Sequence, residues 1–229
     1  MPNITKAELE TPRKASEIKS WVDNKHNELG STKEGKHAVR FRKPLAKEFI
    51  EEALPLGIFC EHYFKNSDHV TIQHIISSNN YDAIIDDQRD NKTTLKYLEI
   101  TQAHEGENAY LRLLKLEEQG HVSTLGKVTK HGLKHTGITV EVDDMPEEHS
   151  IIYNNELQRI YDAAKRKAEK DYPKNTGLII MCDDWLAIRD SLDTKKLKIY
   201  MQKNILSLLS NFSRVFVVGW NSKTYLEFG

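Results

Sequence analysis

Two acidic residues, Asp82 and Glu99, stand in runs that the sequence predicts to be neighbouring β-strands. Residues 81–86 and 95–101 alternate polar and apolar side chains, and Asp90-Asn91 between them tolerates the positive φ of a tight turn. A two-residue turn there places Asp82 directly opposite Glu99, with both side chains on one face of a β-hairpin. Like charges so placed destabilise a sheet. Two carboxylates about 5 Å apart suit a hard divalent ion such as Mg²⁺.

A simpler interpretation of the same hairpin stays open. Leu98 and Ile100 form the opposite, apolar face, so the two acids could be exposed to solvent and pair with Lys92 or Lys96. A four-residue loop would also shift the pairing of the strands. The hypothesis of a metal site therefore depends on the register of this hairpin.

A third acidic residue, Glu52, lies on a helix that is predicted to begin near Pro44. Its apolar stripe at helical spacing consists of Leu45, Phe49, Ala53 and Leu56. Glu52 falls on the same stripe, where full burial of an unpaired acid would be costly. We therefore expect Glu52 either at the rim of the core or directed at a partner, and a metal ion is one such partner.

Length and composition restrict the class of protein. The 229 residues suffice for one large domain. We divide the chain into an N-terminal region, residues 1–43, which contains a helix at 12–29 and a basic linker, and an α/β domain, residues 44–229. The net charge of −1 excludes a globally basic nucleic-acid binder, so such binding must use local patches. Two cysteines in apolar runs, with no signal-like or membrane-spanning stretch, predict a cytoplasmic protein without a membrane partner.

The order of predicted elements after residue 44 favours a mixed central β-sheet flanked by helices, an α/β fold. After the first helix come strands at 70–76, 81–86 and 95–101, a helix at 105–119, an irregular β-excursion at 121–143, a helix at 146–172, a strand at 177–182, a helix at 193–211, and strands at 214–219 and 224–228.

An Asp strand paired with a Glu strand, preceded by a helix and a strand and followed by a helix, resembles the core of the PD-(D/E)xK, or restriction-endonuclease-like, nuclease superfamily. The resemblance covers roughly residues 44–220. It implies that Asp82 and Glu99 bind Mg²⁺ (or Mn²⁺) and that Glu52 completes the metal shell. Tyr81-Asp82 stands where the motif has Pro-Asp, and Thr101 stands where it has the Lys that positions or activates water.

The missing lysine leads to further expectations. Without an ammonium at Thr101, charge on the phosphodiester transition state loses stabilisation. Some members of the superfamily take the lysine from the next helix, so the resemblance makes Lys115 the first catalytic substitute, with Arg112 and Lys127 behind it. Arg112, Lys127 and Lys130 are also the expected nucleic-acid contacts.

The resemblance implies a metal-dependent nuclease that hydrolyses DNA phosphodiester bonds through metal-activated water. Enzymes of this type that cut both strands are commonly dimers, which suggests a homodimer. The alternative is a catalytically inactive DNA-binding or protein-interaction module on the same fold. A nuclease needs some Lys or Arg within reach of Asp82 and Glu99, and the absence of one would favour the inactive module.

Overall fold

The computed structural model describes residues 4–65, 67–77, 79–124, 126–133 and 137–229. It is a mixed α/β structure, with 46% helix and 23% strand. The helices are α1 (Lys6–Glu10), α2 (Ala15–Gly30), α3 (Lys33–Arg40), α4 (Pro44–Glu48), α5 (Leu54–Phe59), α6 (Glu107–Gln119), α7 (His149–Ala168) and α8 (Ser191–Asn204). The strands are β1 (Arg13–Lys14), β2 (Val70–His74), β3 (Ala83–Asp87), β4 (Tyr97–Gln102), β5 (Gly126–Leu133), β6 (Gly137–Pro146), β7 (Thr176–Cys182), β8 (Arg214–Gly219) and β9 (Tyr225–Phe228).

Seven of these strands form one mixed sheet in the order β1-β2-β3-β4-β7-β8-β9. The pairs from β1 to β4 are antiparallel, β4, β7 and β8 run parallel, and β9 closes the far edge antiparallel to β8. The connections between the parallel strands contain α7 and α8, as parallel pairing requires a crossover. The mixed sheet with helices on both faces was predicted from the sequence.

Helices cover both faces of the sheet and create two cores. One core packs residues of α2 and α5 against β2, β3 and β4, including Val22, Phe59 and Leu98. The other packs α7 and α8 against β7 and β8, including Ile160 and Leu178. Each strand of the central sheet therefore presents alternate residues to a different helical layer.

The N-terminal region departs from its prediction. Helix α2 begins at Ala15 rather than at residue 12, and it contributes Ile18, Val22 and Leu29 to the core, more than its charged sequence suggested. The stretch predicted as a basic linker contains α3, which Thr32 caps by accepting from the Gly35 N–H at 3.1 Å. A Ser/Thr cap stabilises even a short polar helix.

The helix predicted near Pro44 is a continuous helical stretch that includes two π-helical turns, Phe49–Ala53 and Cys60–Phe64. Pro44 starts it at the position that favours proline. The first π turn precedes Pro55, which has no N–H to donate to Glu51 O four residues earlier. The side chain of Gln102 donates to that carbonyl instead, at 2.6 Å.

The connection between β3 and β4 is longer than predicted. Residues 88–96 join the strands, in place of a two-residue turn at Asp90-Asn91. Asp87 stabilises the loop by accepting from the Arg89 guanidinium and from the Thr93 N–H at 2.9 Å. These bonds hold the pKa of Asp87 at about 2, with the Arg89 side chain as the largest cause.

Beyond the sheet, β5 and β6 form a separate two-stranded ribbon beside α6, in the region predicted as a β-excursion. Among the described residues, no helix combines the length and the apolar character needed to cross a bilayer.

Candidate metal and catalytic site

Asp82 directly precedes β3, and Glu99 lies within β4, close enough for its carboxylate to raise the pKa of Asp82. Strand β3 pairs antiparallel with β4 through Ala83 opposite Leu98 and Ile84 opposite Tyr97, which is the strand register predicted from the sequence although the turn differs. Asp82 precedes this regular pairing: its N–H donates to Leu98 O at 2.8 Å, and its carbonyl accepts from the Ile75 N–H on the other side. The regular ladder therefore ends at Ala83, and the Asp82 side chain is held to β4 through its own carboxylate.

Glu99 is buried beneath α7 and is only 4% exposed. The Lys167 ammonium donates to Glu99 Oε1, and the Tyr172 hydroxyl lies 3.4 Å from the same oxygen. Burial, with Glu99 as a further cause, raises the pKa of Tyr172, so its hydroxyl stays protonated and can donate. The alternative of an exposed hairpin, neutralised by Lys92 or Lys96, is therefore wrong.

Asp82 combines a structural hydrogen bond with electrostatic repulsion. Its Oδ2 accepts from the Ile100 N–H at 2.7 Å. Burial raises the pKa of Asp82 well above its ordinary value, and the carboxylates of Glu52 and Glu99 raise it further. In such a field a bound cation would stabilise the ionised carboxylate.

Glu52 belongs to a compact group with Glu48 and His74. Glu52 Oε2 lies 2.6 Å from His74 Nε2, and one ligand atom from each of the three residues lies within 4.8 Å of the others. Burial and then Glu48 raise the pKa of Glu52 to about 8, with a smaller contribution from Glu99. Without a cation, Glu52 therefore holds a proton at neutral pH.

His74 is 4% exposed at the end of β2. Burial lowers its pKa, although Asp82, Glu48 and Glu10 act in the opposite direction. Its Nδ1 is buried and has no hydrogen-bond partner among the described residues. The neutral imidazole is the form that binds metals, and it can also accept a hydrogen bond from protonated Glu52.

These residues act as one electrostatic unit, which we call the carboxylate cluster: Glu48, Glu52, His74, Asp82, Glu99 and Lys167. The ammonium of Lys167 lowers the pKa of both Glu52 and Asp82, against the effect of burial. His74 pairs opposite Ala83 and faces the α5 layer, whereas Glu99 pairs beside Leu178 and faces α7. The cluster therefore reaches both faces of the sheet around Asp82.

The donor chemistry of the carboxylate cluster fits a divalent cation. Carboxylate oxygens are the ligands of Mg²⁺ and Mn²⁺, and a neutral imidazole shifts the preference toward transition metals such as Mn²⁺. Burial is the largest cause of the raised pKa values of Glu52 and Asp82, and neighbouring carboxylates add to it more than Lys167 offsets. The compact group of three includes Glu52 but neither Asp82 nor Glu99, whose oxygens already accept from Lys167 and Ile100.

The lysine expected from the helix after Glu99 is engaged elsewhere. Lys115 donates to Glu118 on its own helix at 2.8 Å, whereas Lys167 is the ammonium bonded to Glu99. Thr101 is 7% exposed, two residues beyond Glu99 on β4, and places a hydroxyl where the motif has an ammonium. The ammonium group that binds Glu99 thus belongs to Lys167 on α7, whereas the sequence predicted a lysine on α6.

The predicted nucleic-acid contacts lie around α6 and the ribbon. Arg112 is bound to Glu105 and donates to Gly126 O at 2.8 Å. Lys130 on β5 donates to Glu107 at 2.6 Å, and Lys127 on the same strand is exposed. The structure does not bring them into hydrogen bonds with Asp82 or Glu99.

Sequence reasoning missed Lys167, His74 and Glu48, although each has a detectable pattern. Lys167 follows the buried Ile160 and Ala163 by seven and four residues, which places it on the face of α7 that meets the sheet. His74 continues the alternation of buried residues along β2, and Glu48 precedes Glu52 by one helical turn. Basic residues in a charged run are usually solvated, which hid Lys167 among its neighbours.

Neither a protein-family model, nor a curated protein, nor a solved structure matches the chain. Function therefore has to be inferred from the carboxylate cluster itself.

Proposed function

We propose that this protein is a Mg²⁺- or Mn²⁺-dependent nuclease that hydrolyses DNA phosphodiester bonds at the carboxylate cluster, on a restriction-endonuclease-like fold. One observation carries the proposal: the Lys167 ammonium binds Glu99, and both groups act electrostatically on Asp82. Acidic residues on adjacent strands, a helical Glu52 and a nearby lysine are the groups that the PD-(D/E)xK resemblance requires. The lysine comes from a distant helix, which accounts for the threonine at position 101.

Glu52, Asp82 and Glu99 would hold the divalent cation, and His74 and Glu48 would support or extend that ligand set. When bound, the cation would lower the pKa of water and polarise a phosphodiester oxygen. The protein's own residues contribute position and charge: Asp82 is held against β4 by its bond to the Ile100 N–H. The crowding of carboxylates also lets cation binding relieve their repulsion.

Lys167 would stabilise negative charge on the phosphate and orient a water molecule near Glu99. A fixed ammonium in a largely buried site does this more strongly than one in bulk water. Its side chain is 17% exposed, so one side remains open to solvent or substrate. Tyr172 adds a second donor to Glu99 and helps to hold that carboxylate in place.

A catalytically inactive module on the same fold is the second candidate. The observation that favours it is that the compact group of possible metal ligands consists of Glu48, Glu52 and His74 and includes neither Asp82 nor Glu99. In that case the cluster would be a structural network, and binding of DNA or protein would use other surfaces.

Cleavage of supercoiled, linear duplex and single-stranded DNA, in Mn²⁺, Mg²⁺ or EDTA, tests the proposal. We expect metal-dependent products from the parent and none from Glu99→Gln, whereas the control Glu118→Gln, which is exposed on α6, should cleave normally. Equal cleavage by Glu99→Gln would identify a contaminating nuclease. Full metal binding without cleavage of any substrate would favour the inactive module.

A further inference from the structure

A cavity lies beyond the carboxylate cluster, where β4 ends. It has a volume of about 230 Å³ and is lined by residues from α3, α6, β4 and the segment after β8. Clefts at the carboxyl ends of parallel strands are where open α/β sheets commonly bind ligands. Gln102 is the last residue of β4 and lines this cavity.

Gln102 has an unused hydrogen-bond acceptor. The residue is 8% exposed, and its Nε2 donates to Glu51 O at 2.6 Å, which fixes the orientation of the amide. Its Oε1 is buried and has no partner among the described residues. A buried acceptor without a donor is costly, so a ligand N–H at this position would be stabilised.

Aromatic rings and guanidinium groups surround the same cavity. Phe41 and Tyr110 contact each other with ring centroids 6.2 Å apart, and Tyr110 is 49% exposed. Trp220 supplies a third ring, and Arg40 and Arg42 supply positive charge, although Arg42 Nε lies 3.6 Å from a Glu51 oxygen. A ligand with a flat ring, a polar N–H edge and a negative group would use all of these features.

The cavity also lies close to the proposed reaction site. Gln102 follows Glu99 by three residues, about 10 Å along the strand, and its side chain points to the opposite face of the sheet, the face on which Glu51 and Glu52 lie. Glu51, whose carbonyl binds Gln102, is the neighbour of Glu52 in the first π turn. About 10 Å equals roughly three nucleotide steps at duplex spacing, and fewer in an unstacked strand.

We propose that this cavity binds one unpaired nucleotide of the DNA strand whose backbone reaches the carboxylate cluster. The base stacks on the Tyr110 side of the cavity, an amino or imino N–H of its edge donates to Gln102 Oε1, and Arg40 contacts the phosphate. Intact duplex does not present such a base, because its edges are paired and its faces stacked. The substrate class is therefore DNA with a single-stranded or unpaired segment, an inference that rests on the proposed nuclease function for its choice of DNA.

Binding in EDTA tests this cavity separately from metal chemistry. A dye-labelled ten-nucleotide single strand is titrated with protein by fluorescence polarisation, with a blunt duplex of the same sequence as competitor. We expect the single strand to bind more tightly than the duplex, and Tyr110→Ala and Arg40→Ala each to weaken binding about tenfold. Leu114→Ala on α6 and Lys36→Ala on α3, one helical turn away from the tested residues and outside the cavity lining, are the matched controls and should bind as the parent does.

Two outcomes would overturn the inference: preference for the blunt duplex, or unchanged strand binding by Tyr110→Ala. The Mn²⁺-induced rise in Tm should be the same in Tyr110→Ala and the parent, because the carboxylate cluster is intact in both. Loss of strand binding with a retained Mn²⁺ response confirms the cavity. Unchanged strand binding by Tyr110→Ala refutes it, whatever the cleavage assays show for the nuclease.

Discussion

The ion pair between Lys167 and Glu99 joins two residues that are 68 positions apart in the chain. The Lys167 side chain is 17% exposed and that of Glu99 5%. Removing one partner of a buried pair leaves the other charge without compensation, which costs more than the pair contributes by itself. Lys167 is thus important both for stability without metal and, in the proposed function, for catalysis.

We predict that Lys167→Met lowers the free energy of unfolding in EDTA by about 3 kcal/mol and reduces DNA cleavage at least about 100-fold. Mn²⁺ should restore part of the lost stability, since a cation then neutralises Glu99. Urea denaturation with and without Mn²⁺ measures the first effect. Lys165→Met, on the exposed side of α7, is the control and should change stability by less than about 0.5 kcal/mol.

Asp82→Asn separates charge from structure. The Asn Oδ1 can still accept from the Ile100 N–H, so we expect the fold to persist. Removing one of several crowded negative charges should raise Tm in EDTA at pH 8, where the parent's repulsion is strongest. The Tm increase caused by Mg²⁺ or Mn²⁺ should fall. Equal metal-induced increases in variant and parent would contradict a role for Asp82 as a ligand.

At the scale of elements, the loop between β3 and β4 joins two strands that pair Ala83 with Leu98. Asp87 is the centre of this loop, because it binds the Arg89 side chain and the backbone N–H groups of Arg89 and Thr93. Its side chain is only 4% exposed. A nine-residue connection can therefore hold a register as firmly as a tight turn does.

We predict that Asp87→Asn lowers the free energy of unfolding by about 1–3 kcal/mol, whereas Asp86→Asn, one residue earlier and exposed, changes it little. Chemical denaturation at pH 7 compares the two variants. The difference between them should shrink below pH 3. This follows because the pKa of Asp87 is about 2 in the folded protein and 3.8 ordinarily, so its stabilisation is complete above 3.8 and lost as the pH falls through 2. Similar losses in both variants at pH 7 would show that the loop does not depend on Asp87.

For the molecule as a whole, the buried carboxyl groups determine how stability depends on pH. The pKa of Glu52 is raised to about 8 from an ordinary 4.5, so the folded protein binds this proton more tightly than the unfolded chain does. Folding is then favoured at low pH, and this contribution falls as the pH rises from about 4.5 through 8. Asp82 acts with the same sign, as does Glu156, whose pKa burial raises to about 7.

We therefore expect Tm in EDTA to decrease as the pH rises from 5 to 8.5. The decrease should be smaller in saturating Mn²⁺, because a bound cation favours the ionised carboxylates. Glu52→Gln should flatten the EDTA profile and weaken the response to Mn²⁺. Glu156→Gln should flatten it without changing that response, since Glu156 lies outside the carboxylate cluster. Identical pH profiles with and without Mn²⁺ would exclude a divalent cation at the cluster.

Local sequence patterns determined much of this fold. Alternation in β2, β3 and β4, continuous apolar runs in β7 and β8, and helical periodicity in α7 specify elements over short stretches of chain, within a few residues of their observed bounds. The pairing of β3 with β4, Ala83 opposite Leu98, was also predictable, because a one-residue slip would have moved Leu98 and Ile100 out of the core. The predicted turn at Asp90-Asn91 was wrong, since Asp87 binds Arg89 and Thr93 and so organises a longer loop.

Only the tertiary structure decided which lysine side chain binds Glu99. Lys115 and Lys167 both lie on amphipathic helices, and no local pattern says which helix crosses the acidic end of the sheet. The parallel pairing of β4 with β7 requires a crossover, and α7 in that crossover packs Lys167 over Glu99. The hydrogen bond of Gln102 was likewise not predictable from sequence spacing. Its acceptor, Glu51 O, lies on the helical stretch that begins at Pro44, where Pro55 has no N–H to donate to it. Residues far apart in the chain meet through packing, which the spacing of residues along the sequence does not encode.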